Sequence, residues 1–255
     1  MKVTFGLSSA ALVLLSGALG ADTNHDHSAH ALHQEGAVIS DADSAKIAPF
    51  DILAAHAHRK GNIVTFHMTT NGQAGAVLPD ATGTVAGAPV LSYVWPTSLD
   101  PSAVGFEGGT GILAMAATSH PDFDDTPLFD ENGDGDQSND GIVWHSHWVV
   151  LTPTEACGPG ALAVRDIPEG ETPKLPATWP GFPIFLDSPG FTPLFDGPEI
   201  AVNVAFHQDV DLTGIAYDGV TAALKVNANI HSPLLCVTDV FDIASGDLSL
   251  PGSIK

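Results

Sequence analysis

Histidine is the residue type whose number and spacing point most directly to chemistry in this sequence. The chain has 12 histidines but only 8 lysines and arginines together. Nine of the twelve fall into three groups: four before residue 35, three between residues 56 and 67, and the pair His145 and His147. Neutral imidazole is a preferred ligand of Zn²⁺ and Cu²⁺, so this grouping indicates transition-metal binding.

The three histidines between residues 56 and 67 lie on two apolar runs that a tight turn can join. A turn at Lys60-Gly61 would pair His56 with Thr65. His56, His58 and His67 then share one face, because paired residues and residues two apart in a strand point to the same side. Three imidazoles on adjacent strands can approach tetrahedral zinc geometry, with Zn–N distances of about 2.0–2.1 Å. We expect a zinc or copper site here; the alternative is an exposed strand pair whose polar face carries histidine.

A second pair, His145 and His147, lies within the apolar run 142–151. Both side chains would share one face of a strand, so they are either satisfied core groups or metal ligands. We hypothesise that this pair faces the three hairpin histidines across the fold, around one zinc or copper ion or two neighbouring ions. His120 could be a supplementary ligand, whereas His207 and His231 are interpreted as surface or packed residues.

The segment 21–46 is polar and without apolar periodicity, which predicts a flexible arm. It carries four closely spaced histidines: His25, His27, His30 and His33. Such a tract is a good labile ligand for transition metals, and its binding should fail below about pH 6 as the imidazoles protonate. The alternatives are an expression tag, which the irregular spacing disfavours, or a polar spacer.

An acidic stretch at 122–140 resembles the first half of an EF-hand calcium loop. Oxygen donors stand at positions 1, 3, 5 and 7, and Gly135 stands at position 6. Position 12 is Gly141 rather than a bidentate glutamate. The predicted calcium ligands are Asp130, Asn132, Asp134, Asp136 and Asp140, the last replacing the missing carboxylate. The alternative is a solvated acidic loop without calcium.

The overall charge excludes several classes of partner. The formal net charge is −22 in 255 residues, which leaves too few cations for a nucleic-acid-binding patch or for an anionic membrane surface. Apolar residues make up 44% of the chain, enough to bury a core. No stretch after residue 20 is apolar enough to insert in a membrane, and we expect no membrane insertion of the mature chain.

Residues 1–20 have the pattern of a secretory signal peptide: a short positive end at Lys2, an apolar stretch, and small residues at Ala18-Leu19-Gly20. The mature protein is therefore expected to be periplasmic or extracellular (secreted). In an oxidising compartment the two cysteines, Cys157 and Cys236, are most simply a structural disulfide. A thiolate metal or catalytic pair is the rival, but neither cysteine lies in a CxxC motif or beside a histidine.

Strands must position these groups. From about Phe50 the chain is a series of short apolar runs, several alternating with period two, separated by glycine and proline. This pattern predicts an all-β fold, an antiparallel β-sandwich or barrel-like fold with long Pro/Gly-rich loops and a disordered His-rich N-terminal arm. We interpret residues 47–255 as a single β domain with the acidic loop inserted. The segment 168–198 is expected to be a long ordered loop packed by aromatic rings.

The sequence leaves three functions open. The first is an exported, non-catalytic protein that captures, buffers or delivers zinc, or less favourably copper, with metal ions and a metal transporter or acceptor protein as partners. The second is a zinc-dependent hydrolase or hydratase with a three-histidine site and a water at the fourth position. The third is a structural secreted protein stabilised by calcium. Motifs for nucleophilic, phosphate-binding or dinucleotide-binding chemistry are not found in the sequence.

Overall fold

A computed structural model of the chain describes residues 35–80, 86–120, 143–229 and 231–255. The described residues confirm the all-β prediction: their strands pair antiparallel throughout, and helix is limited to short 3-10 turns at Ala48–Phe50, Pro101–Val104 and Glu155–Cys157. The strands are β1 Val38–Ile39, β2 Ile52–Lys60, β3 Ile63–Thr70, β4 Pro89–Pro96, β5 Ile112–Ser119, β6 His145–Pro153, β7 Leu162–Val164, β8 Leu186–Asp187, β9 Leu194–Asp196, β10 Glu199–Ala205, β11 Ala216–Tyr217, β12 Val220–Val226, β13 Leu235–Ile243 and β14 Gly252–Ser253.

Six of these strands close into a barrel. They are joined in the order β5-β4-β12-β13-β7-β6, and a further pairing of β5 with β6 completes the ring. The short strand β8 pairs with β6 at Trp148 and Val149, next to the part of β6 that pairs with β7. The interior is lined by small and medium aliphatic side chains such as Val94, Ala116, Val149 and Leu224, which are all buried. Each of the six strands thus has a neighbour on both sides, although β7 and β13 are joined by a single residue pair.

A five-stranded sheet covers one side of the barrel. Its order is β1-β2-β3-β10-β9. Alternate residues of this sheet, including Phe66, Met68 and Val202, pack in one buried cluster with outward-facing residues of the barrel, including Trp95 and Trp148. The molecule therefore has two apolar layers: one inside the barrel and one between the barrel and the sheet. Period-two alternation in β4, β5 and β6 serves both layers, since successive side chains point to opposite faces.

The sheet also takes in residues that the sequence analysis assigned to the N-terminal arm. Val38 and Ile39 pair with Ala55 and Ala54 of β2, and the Val38 side chain is buried. The remaining arm residues before position 35, with all four arm histidines, lie outside the described residues. The same holds for the predicted signal peptide at 1–20 and for the predicted calcium loop at 122–140.

The predicted disulfide between Cys157 and Cys236 is confirmed, with Cα atoms 5.6 Å apart. It lies where β7 meets β13, and these strands are paired there through a single residue pair, Cys236 and Ala163. This is the barrel seam with the least backbone pairing, since β7 is only three residues long. Among the described residues, we find no helix with the length and apolar character needed to span a membrane.

The segment 168–198 includes β8 and β9, and its residues Ile184 and Leu186 belong to the buried cluster of the barrel interior. Its aromatic side chains pack against the rest of the domain. Phe185 contacts Phe106 with ring centroids 5.7 Å apart, and Phe195 contacts Trp144 at 5.6 Å. These contacts fix the segment beside β6, the strand that carries two of the candidate ligands.

Candidate metal centre

Three buried histidines converge at one end of the barrel interior. His120, His145 and His147 each offer a ring nitrogen, and these three atoms lie within 4.8 Å of one another. The side chains are 2%, 4% and 2% exposed, respectively. In the part of the chain that the structure describes, this is the one group of three histidine, cysteine or carboxylate residues that reaches this proximity. The cluster could hold a metal ion.

Strand register explains why these residues meet. On β5 and β6, Thr118 is paired with His145 and Ala116 with His147. Ala116 and His147 point into the barrel, since both line its interior cavity. His120 follows β5 two residues after Thr118 and continues the same inward-facing row, so it lies diagonally across from His145. Ser146 and Trp148 alternate with the two β6 histidines, and Trp148 belongs to the apolar layer on the other side.

Hydrogen bonds fix two of the three rings. The Nδ1 atom of His145 lies 2.6 Å from the carbonyl oxygen of Val143, to which an Nδ1–H donates. The Nδ1 atom of His147 lies 3.3 Å from the carbonyl oxygen of Asp187 and 3.2 Å from the Ser188 hydroxyl oxygen. A proton held at Nδ1 leaves Nε2 as the metal-binding atom, which is how metal-ligating histidines are generally oriented.

The distance between two of the ring nitrogens is close to that between two ligands of one tetrahedral ion. The Nε2 atoms of His120 and His145 lie 3.0 Å apart. Two ligands of a tetrahedral zinc at its usual Zn–N distance are about 3.3–3.4 Å apart, so this pair needs a shift of only a few tenths of an ångström. The three ring nitrogens together span up to 4.8 Å, so the third ring must also move closer to bind the same ion. The rings of His145 and His147 stand nearly perpendicular, with centroids 4.8 Å apart. Three neutral imidazoles fit a borderline cation such as Zn²⁺ or Cu²⁺ better than a hard cation.

The hairpin of β2 and β3 has a different register from the one predicted. Its turn is at Gly61-Asn62, not at Lys60-Gly61, and Lys60 is paired with Ile63. His56 is therefore opposite His67 rather than Thr65, and His58 is opposite Thr65. The prediction that His56, His58 and His67 share a face is unaffected. The observed partner of each β2 histidine lies two residues further along β3 than predicted, and a shift by an even number of residues keeps each side chain on the same face.

The hairpin histidines do not face the pair on β6. Ala55, Ala57 and Phe66, which alternate with the histidines, pack in the apolar layer between the sheet and the barrel. His56, His58 and His67 consequently lie on the outer side of the sheet, whereas His145 and His147 point into the barrel. The expected single cluster across the fold is thus wrong: an apolar layer separates the two sets, and the partner of the β6 pair is His120.

The outer face nevertheless gathers polar groups around His56 and His67. Their ring centroids are 4.3 Å apart, and His56 and His58 are 6.2 Å apart. His67 Nε2 lies 3.2 Å from a carboxylate oxygen of Glu199 on β10. Burial lowers the pKa of His56 to about 3, with repulsion from His67 and His58 adding to the effect. Burial also lowers the pKa of His67, although Glu199 opposes that shift. In the described part of the chain, Nδ1 of His56 and of His67 and one Glu199 oxygen are buried without a hydrogen-bond partner.

Two further histidines and one buried aspartate lie outside both histidine groups. His207 is exposed and pairs with Asp209, and His231 lies 2.9 Å from a carboxylate oxygen of Asp166. Asp187 is buried, and its pKa is raised to about 6 by burial. Its side chain accepts a hydrogen bond from the Thr178 hydroxyl at 2.7 Å. Since Asp187 is paired with Trp148, its carboxylate points away from the barrel interior.

Sequence reasoning gave His120 only a supplementary role and did not find Glu199. The sequence does contain a signal for His120: it lies two residues after Thr118 and four after Ala116, the inward-facing positions of β5. Glu199 carries no local signal, since its contact with His67 depends on β10 pairing with β3.

Comparisons with protein-family models, with curated proteins and with solved structures find no match to this chain. The function is therefore argued from the site itself.

Proposed function

We propose that this chain is an exported transition-metal-binding protein whose ordered site is formed by His120, His145 and His147. The observation that carries the proposal is the convergence of three buried imidazole nitrogens within 4.8 Å. The Nδ1 contacts of His145 with the Val143 carbonyl oxygen and of His147 with the Asp187 carbonyl oxygen orient two of the rings in the way that metal-ligating histidines are generally oriented.

Zinc is the favoured ion, with copper second. Both accept imidazole readily, and zinc takes three histidine ligands with a fourth position left open in known protein sites. The histidines of the N-terminal arm provide a second, labile ligand set at the same end of the chain as the predicted export signal. We propose that the arm captures or hands over the metal, and that the recipient is a metal transporter or acceptor protein.

The proposal is tested by the metal content of purified protein. Elemental analysis after growth with added zinc should give about one firmly held zinc per chain in a variant whose four arm histidines are replaced by asparagine. His145→Gln in that background should lose this zinc. His207→Gln, which changes an exposed histidine outside the cluster, should retain it and is the matched control. Equal zinc in the His145→Gln and His207→Gln proteins would overturn the proposal.

A second candidate, a zinc-dependent hydrolase or hydratase, is favoured by one observation. The cluster supplies three protein ligands, the number found in catalytic zinc sites, whereas structural sites have four. Against it, the described residues that line the barrel interior include no aspartate or glutamate that could act as a general base. Cobalt substitution separates the two: a five-coordinate or water-bearing spectrum that responds to azide favours the enzyme, and a closed tetrahedral spectrum favours the carrier.

A further inference from the structure

The interior of the barrel contains a cavity of about 90 Å³. Aliphatic side chains from every strand of the ring line it, for example Val94, Ala116, Val149, Val164, Leu224 and Val237. This volume is of the same order as an apolar cavity of about 150 Å³ that stays dry and binds benzene in another protein. The space suits several carbon atoms better than water, because its walls offer very few hydrogen-bonding groups.

The cavity and the histidine cluster are continuous. His120 and His147 are themselves part of the cavity lining, together with the hydroxyl-bearing residues Ser92 and Thr118. An ion held by the cluster would therefore lie in the wall of the cavity. A coordination position not taken by protein would open toward the aliphatic interior.

The charges around the cavity determine which polar group a ligand bound there can carry. Among the described residues that line the cavity, none is an aspartate, glutamate, lysine or arginine. A divalent ion held by three neutral imidazoles brings two positive charges to an environment where charge is poorly solvated. An anionic oxygen bound to the ion offsets part of this charge, and the rest of the ligand must be uncharged and apolar.

We propose that the barrel binds a small apolar monocarboxylic acid, with its carboxylate on the metal and its hydrocarbon part in the cavity. This inference rests on the proposed metal site. It adds a ligand class to that site: short aliphatic or aromatic acids whose body fits a space of about 90 Å³. Each methylene buried in the cavity should tighten binding by about fourfold until the cavity is full.

Two apolar residues of the cavity lining reach the surface of the protein. Val240 and Leu248 line the same cavity and are 51% and 37% exposed. Leu248 has a φ of +59°, a left-handed conformation that is rare for a leucine. Backbone of this kind persists only where its surroundings enforce it and is enriched at ligand clamps. The loop that holds Leu248 is anchored by the hydrogen bond from the Ser245 hydroxyl to Asp218.

The test is calorimetric titration of the zinc-loaded full chain with acetate, butanoate, hexanoate and benzoate. Affinity should rise from acetate to hexanoate, and hexanoate should bind at least about tenfold more weakly to zinc-free protein. Ala222→Leu, which fills the cavity, should weaken hexanoate by about tenfold or more and leave the zinc content unchanged. Ala205→Leu, at an exposed position outside the barrel, is the matched control.

The outcomes separate this inference from the metal site. Protein that holds zinc through the three histidines but shows no preference for hexanoate over acetate overturns the inference and leaves the metal site standing. Protein that holds no zinc overturns both. Equal hexanoate affinity with and without zinc overturns the role of the ion as anchor. If Ala222→Leu does not fold, cobalt-loaded wild-type protein decides the matter, because hexanoate must change its visible spectrum at lower concentration than acetate does.

Discussion

The Nε2 atoms of His120 and His145 lie 3.0 Å apart, although 25 residues separate them in the chain. His120 follows the end of β5 and His145 begins β6, so the contact joins the two strands whose pairing completes the barrel. An ion bound between them would hold the same two strands together. Metal binding and barrel stability should consequently be coupled.

That coupling predicts a zinc-dependent melting temperature. A ligand that binds only the folded chain adds about 2.7 kcal/mol at a concentration 100 times its Kd, so the midpoint should rise with free zinc. His145→Gln should remove the rise, whereas His207→Gln should keep it. Differential scanning calorimetry of protein stripped of metal and then titrated with zinc measures the effect. An unchanged zinc response in His145→Gln would contradict the assignment.

Acid should destabilise the metal-free protein through His56. Its pKa is about 3 when folded, below the ordinary value of 6.5. Between these values the unfolded chain binds a proton that the folded chain does not, so the free energy of unfolding falls as pH drops from about 6.5 toward 3. Urea unfolding at several pH values should show this slope, and His56→Gln should reduce it. A variant that retains the wild-type slope would exclude His56 as its source.

Asp187 should have the opposite effect. Its pKa is about 6 when folded and 3.8 ordinarily, so the folded chain binds the extra proton between these values. The free energy of unfolding therefore decreases as pH rises from about 4 to 6, and the loss persists at neutral pH. Asp187→Asn should stabilise the protein at pH 7 by about 1–3 kcal/mol and leave its stability at pH 3.5 nearly unchanged. Equal stability of the two proteins at pH 7 would contradict this.

The disulfide should contribute strongly to stability. Cys157 and Cys236 are 79 residues apart, and closing a loop of this length stabilises by about 4 kcal/mol in the chain-entropy model. Urea unfolding of the Cys157→Ser/Cys236→Ser protein should reveal a loss of this order. Thiol titration of the unreduced, urea-unfolded wild type is the companion measurement, and two titratable thiols would contradict the bond.

Calcium binding at 122–140 stays a prediction from the sequence. Removing metals with EDTA and restoring calcium alone should raise the melting temperature of the wild type. Asp134→Asn/Asp136→Asn should lose that response and keep the response to zinc, since calcium prefers carboxylate oxygens and zinc prefers imidazole nitrogens. A calcium response equal to that of the wild type would show that these two carboxylates are not ligands.

Much of the fold could be predicted because alternation in β-strands is a local property. The run from Ile200 to Phe206 shows it directly, since Ile200, Val202 and Val204 are buried in the structure. The hairpin face was predicted correctly and its register was not. Gly61 has a φ of +66°, and a glycine can occupy either central position of a tight turn, so the sequence did not determine which residues the turn uses.

The residues of the candidate metal centre were harder to predict, for a physical reason. Strand periodicity places His145 and His147 on one face, but it does not say whether that face lines a barrel or meets another sheet. That choice depends on the pairing of β5 with β6, which closes the ring. The two strands are separated by 25 residues in the chain, so no local sequence pattern indicates that they pair. The same limit applies to Glu199, which reaches His67 only after β10 has joined β3.

The sparse pairing between β7 and β13 leads us to expect an order in which the protein matures. Backbone pairing there is limited to Cys236 and Ala163, so in the reduced chain little holds this part of the barrel wall closed. The neighbouring residue Leu235 lines the cavity. Separation of β7 from β13 would therefore admit water to the cavity that His120 and His147 also line. We therefore expect the disulfide to form before the protein binds metal stably. Metal retention would then indicate that the chain has reached an oxidising compartment.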